Sequence, residues 1–479
     1  MKLVRETKLL ELFLLLACFC LELGTATYTI TTTKFINDAE TLISSNGDFE
    51  LGFFSPANST YRYVGIWYAK FFASSIIWVA NRNKPLNSLS GILTISEDEN
   101  LVVLDEQKKI IWSSNIMDSV FNSGAQLSDS GNLVLHFQHP TDTFVPKMKL
   151  STNVRTRKKV QGTSWTNQSD PSIGTFSAGV DIFNLPEISI WNGSSRYWRT
   201  GPWNSWVFIG IPAMDSVFLD GFRLTDDEEG TLFDLTFAFL NESGNIEQKI
   251  SYNGGNWEVG WSALETECDV YVKCREYGIC NSKSSPICNC LVGFEPKNIE
   301  EWNRGNWSSG LCFNCGCVRR RPLQCEEVTN EGEEGKKDVF LKLKMMKVPY
   351  FVDRSSTLED ECRDQCLKNC CIAYAYDAGI GCMSWSRDLI DSQEFSIGGV
   401  DLYVCSADSE LDRKVVNVKV VIAITMPIGM LFVAIYNFSS WRCIGRLISR
   451  CNAGVRHTRQ PLIIPYVNTT PVPYSPCQT

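Results

Sequence analysis

Histidine is scarce in this 479-residue chain, and cysteine is absent from a long part of it. Three His are present, and the sequence contains no Gly-x-Ser-x-Gly nucleophile elbow that one of them could serve. His139 is therefore interpreted as a loop residue, and we expect no catalytic residues. Residues 27–267 contain no Cys, so packing of apolar side chains must hold that part of the chain together.

The beginning of the chain reads as a secretory signal peptide over residues 1–26. Lys2, Arg5 and Lys8 precede an apolar stretch, and small residues follow at 24–26. A basic head, a short apolar run and a small-residue exit are the three parts of such a signal. The alternative is a buried N-terminal helix, which does not account for the basic head.

Acidic residues are missing from the other end of the chain. Residues 415–436 are apolar apart from Asn417 and Lys419, and Trp441 and five Arg follow in residues 437–479 without any Asp or Glu. A helix of that length spans about 33 Å at 1.5 Å per residue, enough for a bilayer core. Since basic residues mark the cytoplasmic side, we predict a single-pass type I plasma membrane protein with a short tail at 437–479.

The net charge has opposite signs on the two sides of the predicted membrane span. Residues 437–479 carry +5 and Lys419 adds +1, so the remainder carries −15 of the net −9. An acidic exterior argues against a nucleic-acid partner. Nothing in the composition calls for a cofactor.

Of the 20 Cys, fifteen fall between Cys268 and Cys405. In a secreted chain this density predicts a disulfide-rich module, with zinc binding at the spacings of Cys312/Cys315 or Cys362/Cys366/Cys370 as the weaker alternative. We predict no metal site. Five Asn-x-Ser/Thr sequons predict glycosylated surface loops: Asn58, Asn167, Asn192, Asn241 and Asn306.

Short strands separated by turns are predicted over residues 28–145. Asn46-Gly47 is a hairpin signal, and the run Asn-Leu-Val-Val-Leu at 100–104 recurs as Asn-Leu-Val-Leu at 132–135. Repeated strands at such a spacing indicate a β-prism or barrel-like array.

Several long motifs in this region resemble one known family. They are Phe-Glu-Leu-Gly-Phe-Phe-Ser-Pro at 49–56, Val-Gly-Ile-Trp-Tyr at 64–68, Trp-Val-Ala-Asn-Arg at 78–82, residues 127–135, and Trp-Arg-Thr-Gly-Pro-Trp-Asn at 198–204. Together they resemble the plant G-type (bulb-type) lectin S-receptor-like serine/threonine kinases and S-locus glycoproteins. The resemblance covers nearly all of residues 28–436.

The resemblance implies a mainly β, multidomain fold. The expected parts are a β-prism-like bulb-type lectin domain at 27–150, an S-locus glycoprotein β domain at 151–265 and a disulfide-rich EGF-like domain at 266–325. A PAN/apple α+β domain at 326–408 and one transmembrane helix at 415–436 follow. In the family the PAN/apple domain supports receptor dimerisation; the alternative here is a purely structural disulfide knot.

The resemblance also implies a disulfide pairing in the EGF-like part: Cys268–Cys280, Cys274–Cys288 and Cys290–Cys317. Spacing alone leaves fifteen pairings for six cysteines. In the PAN/apple part, Ser356-x-x-Glu359 predicts a capping box. It would open a helix whose cysteines lie on one face at i, i+4 and i+8. The cysteines expected in disulfides there are Cys325, Cys362, Cys366, Cys370, Cys371 and Cys382.

Bulb-type lectins bind mannose through a Gln-x-Asp-x-Asn-x-Val-x-Tyr pattern. This chain keeps Asp98 and Asn100 in one copy and Asn132 in another, but lacks the outer Gln and Tyr. A site without those hydrogen-bond partners should discriminate sugars poorly. These three residues are weak sugar-site candidates, and a structural strand is the competing interpretation.

The chain departs from the family at three further places. The strand that usually precedes His-Pro-Thr-Asp-Thr (139–143) is missing, which would leave an open sheet edge. The insert at 311–316 adds two cysteines, and Cys405 makes the expected luminal count odd, so a free thiol or an intermolecular bridge is predicted. The sequence contains no kinase motif such as Val-Ala-Ile-Lys or His-Arg-Asp.

The resemblance then implies a kinase-less cell-surface receptor or co-receptor, and not an enzyme. Its ectodomain would recognise a secreted peptide or glycan, with pollen recognition as the family's role, and it would signal through a full-length receptor kinase. One alternative is a mannose-binding lectin at the cell surface. Another is a truncated, non-functional gene product.

Overall fold

The computed structural model describes residues 29–69, 76–115, 124–134, 141–145, 149–153, 155–183, 185–212, 224–227, 230–234, 238–251, 257–305, 307, 315–323, 325, 338–407, 430–438 and 441. The predicted signal peptide lies outside these residues, as does most of the predicted membrane span. The chain divides into two compact units, residues 1–408 and 409–479.

The first part of the larger unit, which we call the first three-sheet module, is built from short antiparallel strands. Burial alternates along these strands, as in Ile92–Ile95, where Leu93 and Ile95 are buried whereas Ile92 and Thr94 are half-buried. The strands are β1 (Thr29–Ile30), β2 (Ile36–Asn37), β3 (Thr41–Ile43), β4 (Phe49–Phe54), β5 (Tyr63–Tyr68), β6 (Ile76–Val79), β7 (Ile92–Ile95), β8 (Leu101–Leu104), β9 (Ile110–Ser113), β10 (Ala125–Leu127) and β11 (Leu133–Val134).

These strands form three sheets around one core. The strand orders are β3-β4-β5-β6, β2-β7-β8-β9 and β1-β10-β11, and Leu51, Leu93 and Leu127 meet in the same buried cluster. The hairpin predicted at Asn46-Gly47 joins β3 to β4, with Gly47 at φ +75°. The mainly β character is confirmed, and the symmetry of a prism remains a prediction.

A second three-sheet module follows, and its first described strand lies before the predicted boundary at residue 151. Its antiparallel sheets have the orders β12-β21-β22-β23, β14-β13-β20-β19 and β15-β16-β17-β18, and Leu150, Ile190 and Leu240 lie in its core. The strands are β12 (Thr143–Phe144), β13 (Lys149–Thr152), β14 (Lys159–Val160), β15 (Gly162–Asn167), β16 (Asp170–Asp181), β17 (Glu187–Asn192), β18 (Ser195–Arg199), β19 (Leu224–Asp227), β20 (Gly230–Asp234), β21 (Ala238–Leu240), β22 (Ile246–Ser251) and β23 (Trp257–Ser262).

The disulfide-rich module comprises the described residues from Glu267 to Ala407. It opens with a 3-10 helix, Glu267–Asp269, which carries a capping box of Thr266 and Asp269. Its other elements are β24 (Gly278–Cys280), β25 (Cys288–Cys290), β26 (Phe294–Pro296), α1 (Ile299–Asn303), β27 (Cys317–Arg319), β28 (Asp338–Lys347), β29 (Asp353–Ser355), α2 (Glu359–Lys368), β30 (Ala373–Asp377), β31 (Gly381–Trp385), β32 (Ser392–Glu394) and β33 (Val400–Ala407).

One eight-stranded sheet crosses the boundary that was predicted between residues 325 and 326. Its order is β25-β24-β32-β28-β33-β30-β31-β29. The hairpin β24–β25 joins it through a parallel pairing of Ile279 with Ser392 and of Cys280 with Gln393. Residues from both sides of the boundary also share one core. The two sequence segments therefore fold together.

Six disulfides are described in this module. Cys268–Cys280, Cys274–Cys288 and Cys290–Cys317 have the pairing that the resemblance implied. Cys325–Cys370, Cys362–Cys382 and Cys366–Cys371 follow. Cys315 is also disulfide-bonded, and Cys405 is buried on β33 at 3% exposure, a position that a second chain does not reach without opening the sheet.

The predicted capping box of α2 was wrong. The N-cap is Leu358, which provides no side-chain hydrogen bond. The hydroxyls of Ser355 and Thr357 instead donate to Gln365 Oε1 at 2.7 and 2.6 Å, across the first turns of the helix. The helix ends at Lys368, so Cys370 lies beyond it at φ +52° and does not share the helical face of Cys362 and Cys366.

In the second compact unit, residues 430–438 are helical with exposed side chains. Among the described residues, no helix combines the length and the apolar character needed to cross a membrane. Residues 415–429 of the predicted span lie outside the described residues.

Candidate functional site

The turn between β7 and β8 contains the first two sugar-site candidates. Asn100 Nδ2 donates to Asp98 Oδ2 at 3.1 Å, and Asn100 Oδ1 accepts from Ser114 Oγ at 3.0 Å. Ser96 donates to Asp98 Oδ1. Hydrogen bonds from Ser96 and Asn100 lower the pKa of Asp98. Asn100 is 7% exposed, so its polar side-chain atoms make hydrogen bonds that stabilise the turn.

The third candidate, Asn132, lies in the corresponding turn between β10 and β11. Ser128 Oγ donates to the Asn132 carbonyl at 2.8 Å, and Asn132 Nδ2 donates to Ser130 Oγ at 3.1 Å. The same arrangement occurs around Ser96 and Asn100, where Ser96 Oγ donates to the Asn100 carbonyl. The structure therefore places the three candidates in two separate turns with a structural use, as in side-chain-stabilised hairpins.

A buried arginine joins the first three-sheet module to the second. Arg82 donates to the carbonyls of Pro171 and Ser164, both at 2.6 Å, and to Thr163 Oγ1 at 2.7 Å. Its residue exposure is 7%, and burial lowers the pKa of its guanidinium despite the nearby carboxylates. Sequence reasoning had used Arg82 only as part of a family motif.

Asp142 lies in the same junction and is 4% exposed. Burial raises the pKa of Asp142 to about 6, and the charge of Arg82 opposes this shift. A carboxyl with this pKa takes up a proton near neutral pH when the junction is formed, whereas an exposed Asp does so near pH 3.9.

The raised pKa of Asp142 predicts a pH dependence of stability. The native chain binds the proton more tightly than the unfolded chain, so the stabilisation is complete below about pH 4 and is lost as pH rises through about 6. The expected difference is about 2–3 kcal/mol. In thermal unfolding between pH 4 and pH 7, Asp142→Asn should remove this slope; an unchanged slope in the variant would contradict the assignment.

A second junction joins β18 to the disulfide-rich module through buried charges. Arg199 donates to Asp391 Oδ2 at 2.6 Å and to the Val348 carbonyl at 2.6 Å. Lys347 Nζ lies 3.4 Å from the same carboxylate oxygen, and Glu187 Oε2 accepts from Arg199 at 3.3 Å. The side chains of these four charged residues are 1–4% exposed.

The pKa values in this junction follow from mutual pairing. Burial alone would raise the pKa of Asp391, but the charges of Lys347 and Arg199 bring it below its usual value. Burial lowers the pKa of Lys347, and Asp391 opposes that shift. The pKa of Arg199 is raised because its two carboxylate partners outweigh burial. Burial raises the pKa of Glu187, although the charges of Arg199 and Arg196 oppose this shift. The four charged side chains are therefore held in place by one another across the interface.

Aromatic side chains surround a shallow pocket next to this junction. Phe183 is 65% exposed, and its ring centroid lies 5.6 Å from that of Phe351. Arg196 donates to Tyr350 Oη at 2.7 Å and pairs with Asp181. The pocket also touches Glu187 and Arg199, whose charges are already paired.

The glycosylation candidates differ in accessibility. Asn58, Asn167 and Asn192 are exposed, as glycan attachment requires. Asn241 is half-buried, and its side-chain nitrogen donates to Glu247 Oε1 at 2.9 Å. Asn306 lies outside the described residues.

Three cysteine sulfurs approach one another closely, those of Cys274, Cys280 and Cys288. All three belong to disulfides, so none offers the thiolate that binds zinc. The same holds for Cys362, Cys366 and Cys370, where zinc was the alternative.

Comparison with known proteins matches three domain families along the chain. A D-mannose binding lectin model matches residues 75–166, an S-locus glycoprotein model residues 198–298, and a PAN-like model residues 325–392. Two G-type lectin S-receptor-like serine/threonine-protein kinases of Arabidopsis thaliana are 42% and 43% identical over 431 and 464 residues, which is 84% and 88% of this chain. The chain belongs to this S-receptor-like, S-locus glycoprotein family.

The chain spans about half the length of these curated relatives, 51% and 53%. Among solved structures, a Marasmius oreades lectin is 15% identical with a TM-score of 0.18, covering 28% of this chain and 87% of that one. A two-domain agglutinin of Scilla campanulata is 12% identical with a TM-score of 0.17, covering 50% and 87%. The family models identify the lectin and PAN domains, and the described disulfides show the disulfide-rich character of the chain.

Proposed function

We propose that this S-receptor-like chain is a cell-surface receptor or co-receptor whose ectodomain recognises a secreted peptide or glycan. The observation that carries the proposal is the way its modules are joined. Buried Arg82 and Arg199 each cross a module boundary with several hydrogen bonds. Modules fixed in this way present one continuous surface, which suits recognition of an extracellular ligand better than independently moving modules do.

The membrane topology belongs to the same proposal. The apolar stretch at 415–436 would anchor the chain as a single-pass type I protein, with the signal peptide removed and residues 437–479 inside. The exposed sequons Asn58, Asn167 and Asn192 would carry glycans outside. The modules would be the bulb-type lectin, S-locus, EGF-like and PAN/apple domains, with β-prism sheets in the lectin part.

The proposed signalling partner is a full-length receptor kinase of the same family, the class to which the curated relatives belong. The test is co-precipitation of the tagged full chain from plant membranes. We expect a receptor kinase of this family in the precipitate and none with an unrelated single-pass glycoprotein. Recovery of the chain at the membrane without any such kinase would contradict the proposed partnership.

A mannose-binding lectin is the second candidate, since the lectin model matches residues 75–166. The turn geometry predicts that Asn100→Ala lowers the unfolding free energy by about 1–3 kcal/mol, because Ser114 and Asp98 lose a buried partner. The Asn100→Ala substitution should not change retention on immobilised mannan. The control substitution Asn87→Ala, at an exposed residue, should change neither the unfolding free energy nor the retention. Retention that free mannose competes away and that Asn100→Ala abolishes would instead establish the lectin function.

A further inference from the structure

A shallow pocket lies between the second three-sheet module and the disulfide-rich module. The loop between β16 and β17 provides one wall, with Phe183 and Leu185. The loop between β28 and β29 provides the other wall, with Tyr350, Phe351 and Val352. Ligand pockets occur preferentially where two domains meet. Its position therefore makes this pocket a candidate ligand site of the ectodomain.

Two phenylalanines of this lining are open to solvent. Phe183 is 65% exposed and Phe351 is 38% exposed. Their ring centroids lie 5.6 Å apart at an interplanar angle of 80°, and the ring of Tyr350 lies within 6.4 Å of both. Exposed apolar side chains that lie together mark interaction sites, whereas single ones are common on any surface. The aromatic rim is therefore a surface to which a partner can bind.

The loop that carries Phe351 is held in a fixed conformation. The Trp385 indole nitrogen donates to the carbonyls of Pro349 and Tyr350 at 3.2 and 3.1 Å. The Tyr350 amide donates to the Ile390 carbonyl at 3.0 Å. Phe351 has φ +61°, an uncommon conformation for an aromatic residue, which the surrounding contacts must maintain. Because this wall is already ordered, a ligand loses little conformational entropy of the protein on binding to it.

The base of the pocket is charged, but its charges are balanced. Asp181 pairs with Arg196 and accepts from the Tyr350 hydroxyl at 3.1 Å. Glu187 accepts from Arg196 at 2.9 Å and lies 3.3 Å from Arg199. Two carboxylates thus face two guanidinium groups, and a charged ligand group would bring a charge without a counter-charge. Charge complementarity therefore favours a neutral ligand group.

The size of the pocket narrows the choice further. It encloses about 260 Å³ with the solvent at its mouth included, whereas pockets for drug-sized molecules enclose roughly 300–1,000 Å³. This space suits one side chain of a larger ligand. A sugar needs polar partners that orient its hydroxyls, but the polar side chains at the base pair with one another. An aromatic or branched aliphatic side chain fits this lining better.

We propose that this pocket binds one aromatic or branched aliphatic side chain of a secreted peptide ligand. Phe183 and Phe351 contact that side chain from the two modules, and the fixed loop provides the apolar surface that an anchor residue needs. The inference rests on the proposed recognition function and names its ligand class, a peptide and not a glycan. It concerns ligand binding alone and involves no kinase.

The direct test uses the full chain in lipid nanodiscs and acetylated, amidated pentapeptides of the form Gly-Gly-Xaa-Gly-Gly, with empty nanodiscs as the blank. Saturation-transfer NMR measures the binding. We expect the peptides with Phe or Leu at the centre to bind at least about tenfold more tightly than those with Lys or Glu, which bring an uncompensated charge. Equal binding of the four peptides, or no binding, would overturn the proposal. Displacement of the Phe peptide by a mannose oligosaccharide would overturn it in favour of a glycan.

Two substitutions locate the binding to this pocket. Phe183→Ala removes one side of the rim, and Phe351→Asn removes the other while keeping a residue that tolerates the left-handed backbone. Each should weaken binding of the Phe peptide at least about fivefold. The control Ile173→Ala removes another exposed apolar side chain of β16, 54% exposed, and should leave binding unchanged. Unchanged binding in both pocket variants, or an equal loss in the control, would contradict the proposal.

A cross-linking measurement needs no substitution and remains decisive if a variant does not fold. A pentapeptide with photoreactive benzoylphenylalanine at its centre should label residues 181–183 or 349–352 of the unmodified chain, and excess Phe peptide should suppress the label. Labelling only elsewhere would overturn the proposal. The result is distinct from the co-precipitation: peptide binding without a recovered kinase contradicts only the kinase partnership, and a recovered kinase without peptide binding contradicts only this pocket.

Discussion

Asp391→Ala should lower the free energy of unfolding by about 3–5 kcal/mol, the usual cost of leaving buried charges without their partner. Asp391 accepts from Arg199 at 2.6 Å and lies 3.4 Å from Lys347. Its other oxygen accepts from the Val272 amide at 2.9 Å. The substitution therefore removes one carboxylate that pairs with two buried cations and accepts a hydrogen bond from a partly buried backbone amide.

The matched control is a substitution at Asp401 in β33 of the eight-stranded sheet. Asp401 pairs with Lys342 at 2.7 Å, but both side chains are more than 40% exposed, so Asp401→Ala should cost about 0–1 kcal/mol. Thermal and denaturant unfolding of the secreted chain measures both effects, and secretion yield provides a second readout. A loss for Asp391→Ala no greater than that for Asp401→Ala would mean that the buried network does not stabilise the junction.

Arg82→Ala should loosen the junction of the two three-sheet modules, at a cost of about 3–5 kcal/mol. The Arg82 guanidinium donates hydrogen bonds to the carbonyls of Pro171 and Ser164 and to the hydroxyl of Thr163. Its removal leaves these acceptors buried and takes the compensating charge away from Asp142. The pKa of Asp142 should rise further, so the stability lost at neutral pH should exceed the loss at pH 4.

Lys84→Ala is the control for this substitution, since Lys84 lies on the same loop with an exposed side chain. It should change stability by less than about 0.5 kcal/mol. Limited proteolysis distinguishes a loosened junction from general unfolding, because cleavage between the modules should appear first in Arg82→Ala. Identical cleavage patterns for Arg82→Ala and the parent chain would contradict the role of Arg82 as the joining residue.

The candidate sugar-binding residues show what a sequence motif predicts about local structure and what it does not predict about ligand binding. The repeat of Asn100 and Asn132 predicted recurring strands, and the structure places each Asn in a turn where a Ser hydroxyl donates to its backbone carbonyl. The motif did not indicate whether those polar atoms would be available to a ligand. That depends on neighbours such as Ser114, which accounts for the buried side of Asn100.

The helix α2 illustrates the same limit at short range. The helix was predicted from a capping box at Ser356, but the N-cap is Leu358, and Ser355 and Thr357 bond to Gln365 instead. The three pairings Cys268–Cys280, Cys274–Cys288 and Cys290–Cys317 were obtained through resemblance, since spacing alone left them open. Sequence patterns thus located the elements more securely than the side-chain contacts between them.

The sequence by itself determined the β character of residues 28–145 and the crosslinked character of the region after Cys268, whereas the order and class of the modules came through the family resemblance. The first two follow from turn residues, repeated short strands and cysteine density, which act over a few residues. Only the tertiary structure decided that β24 joins β32 in one sheet and that Arg199 meets Asp391, 192 residues away. Such contacts depend on how packed modules approach one another, and no local spacing in the chain records that approach.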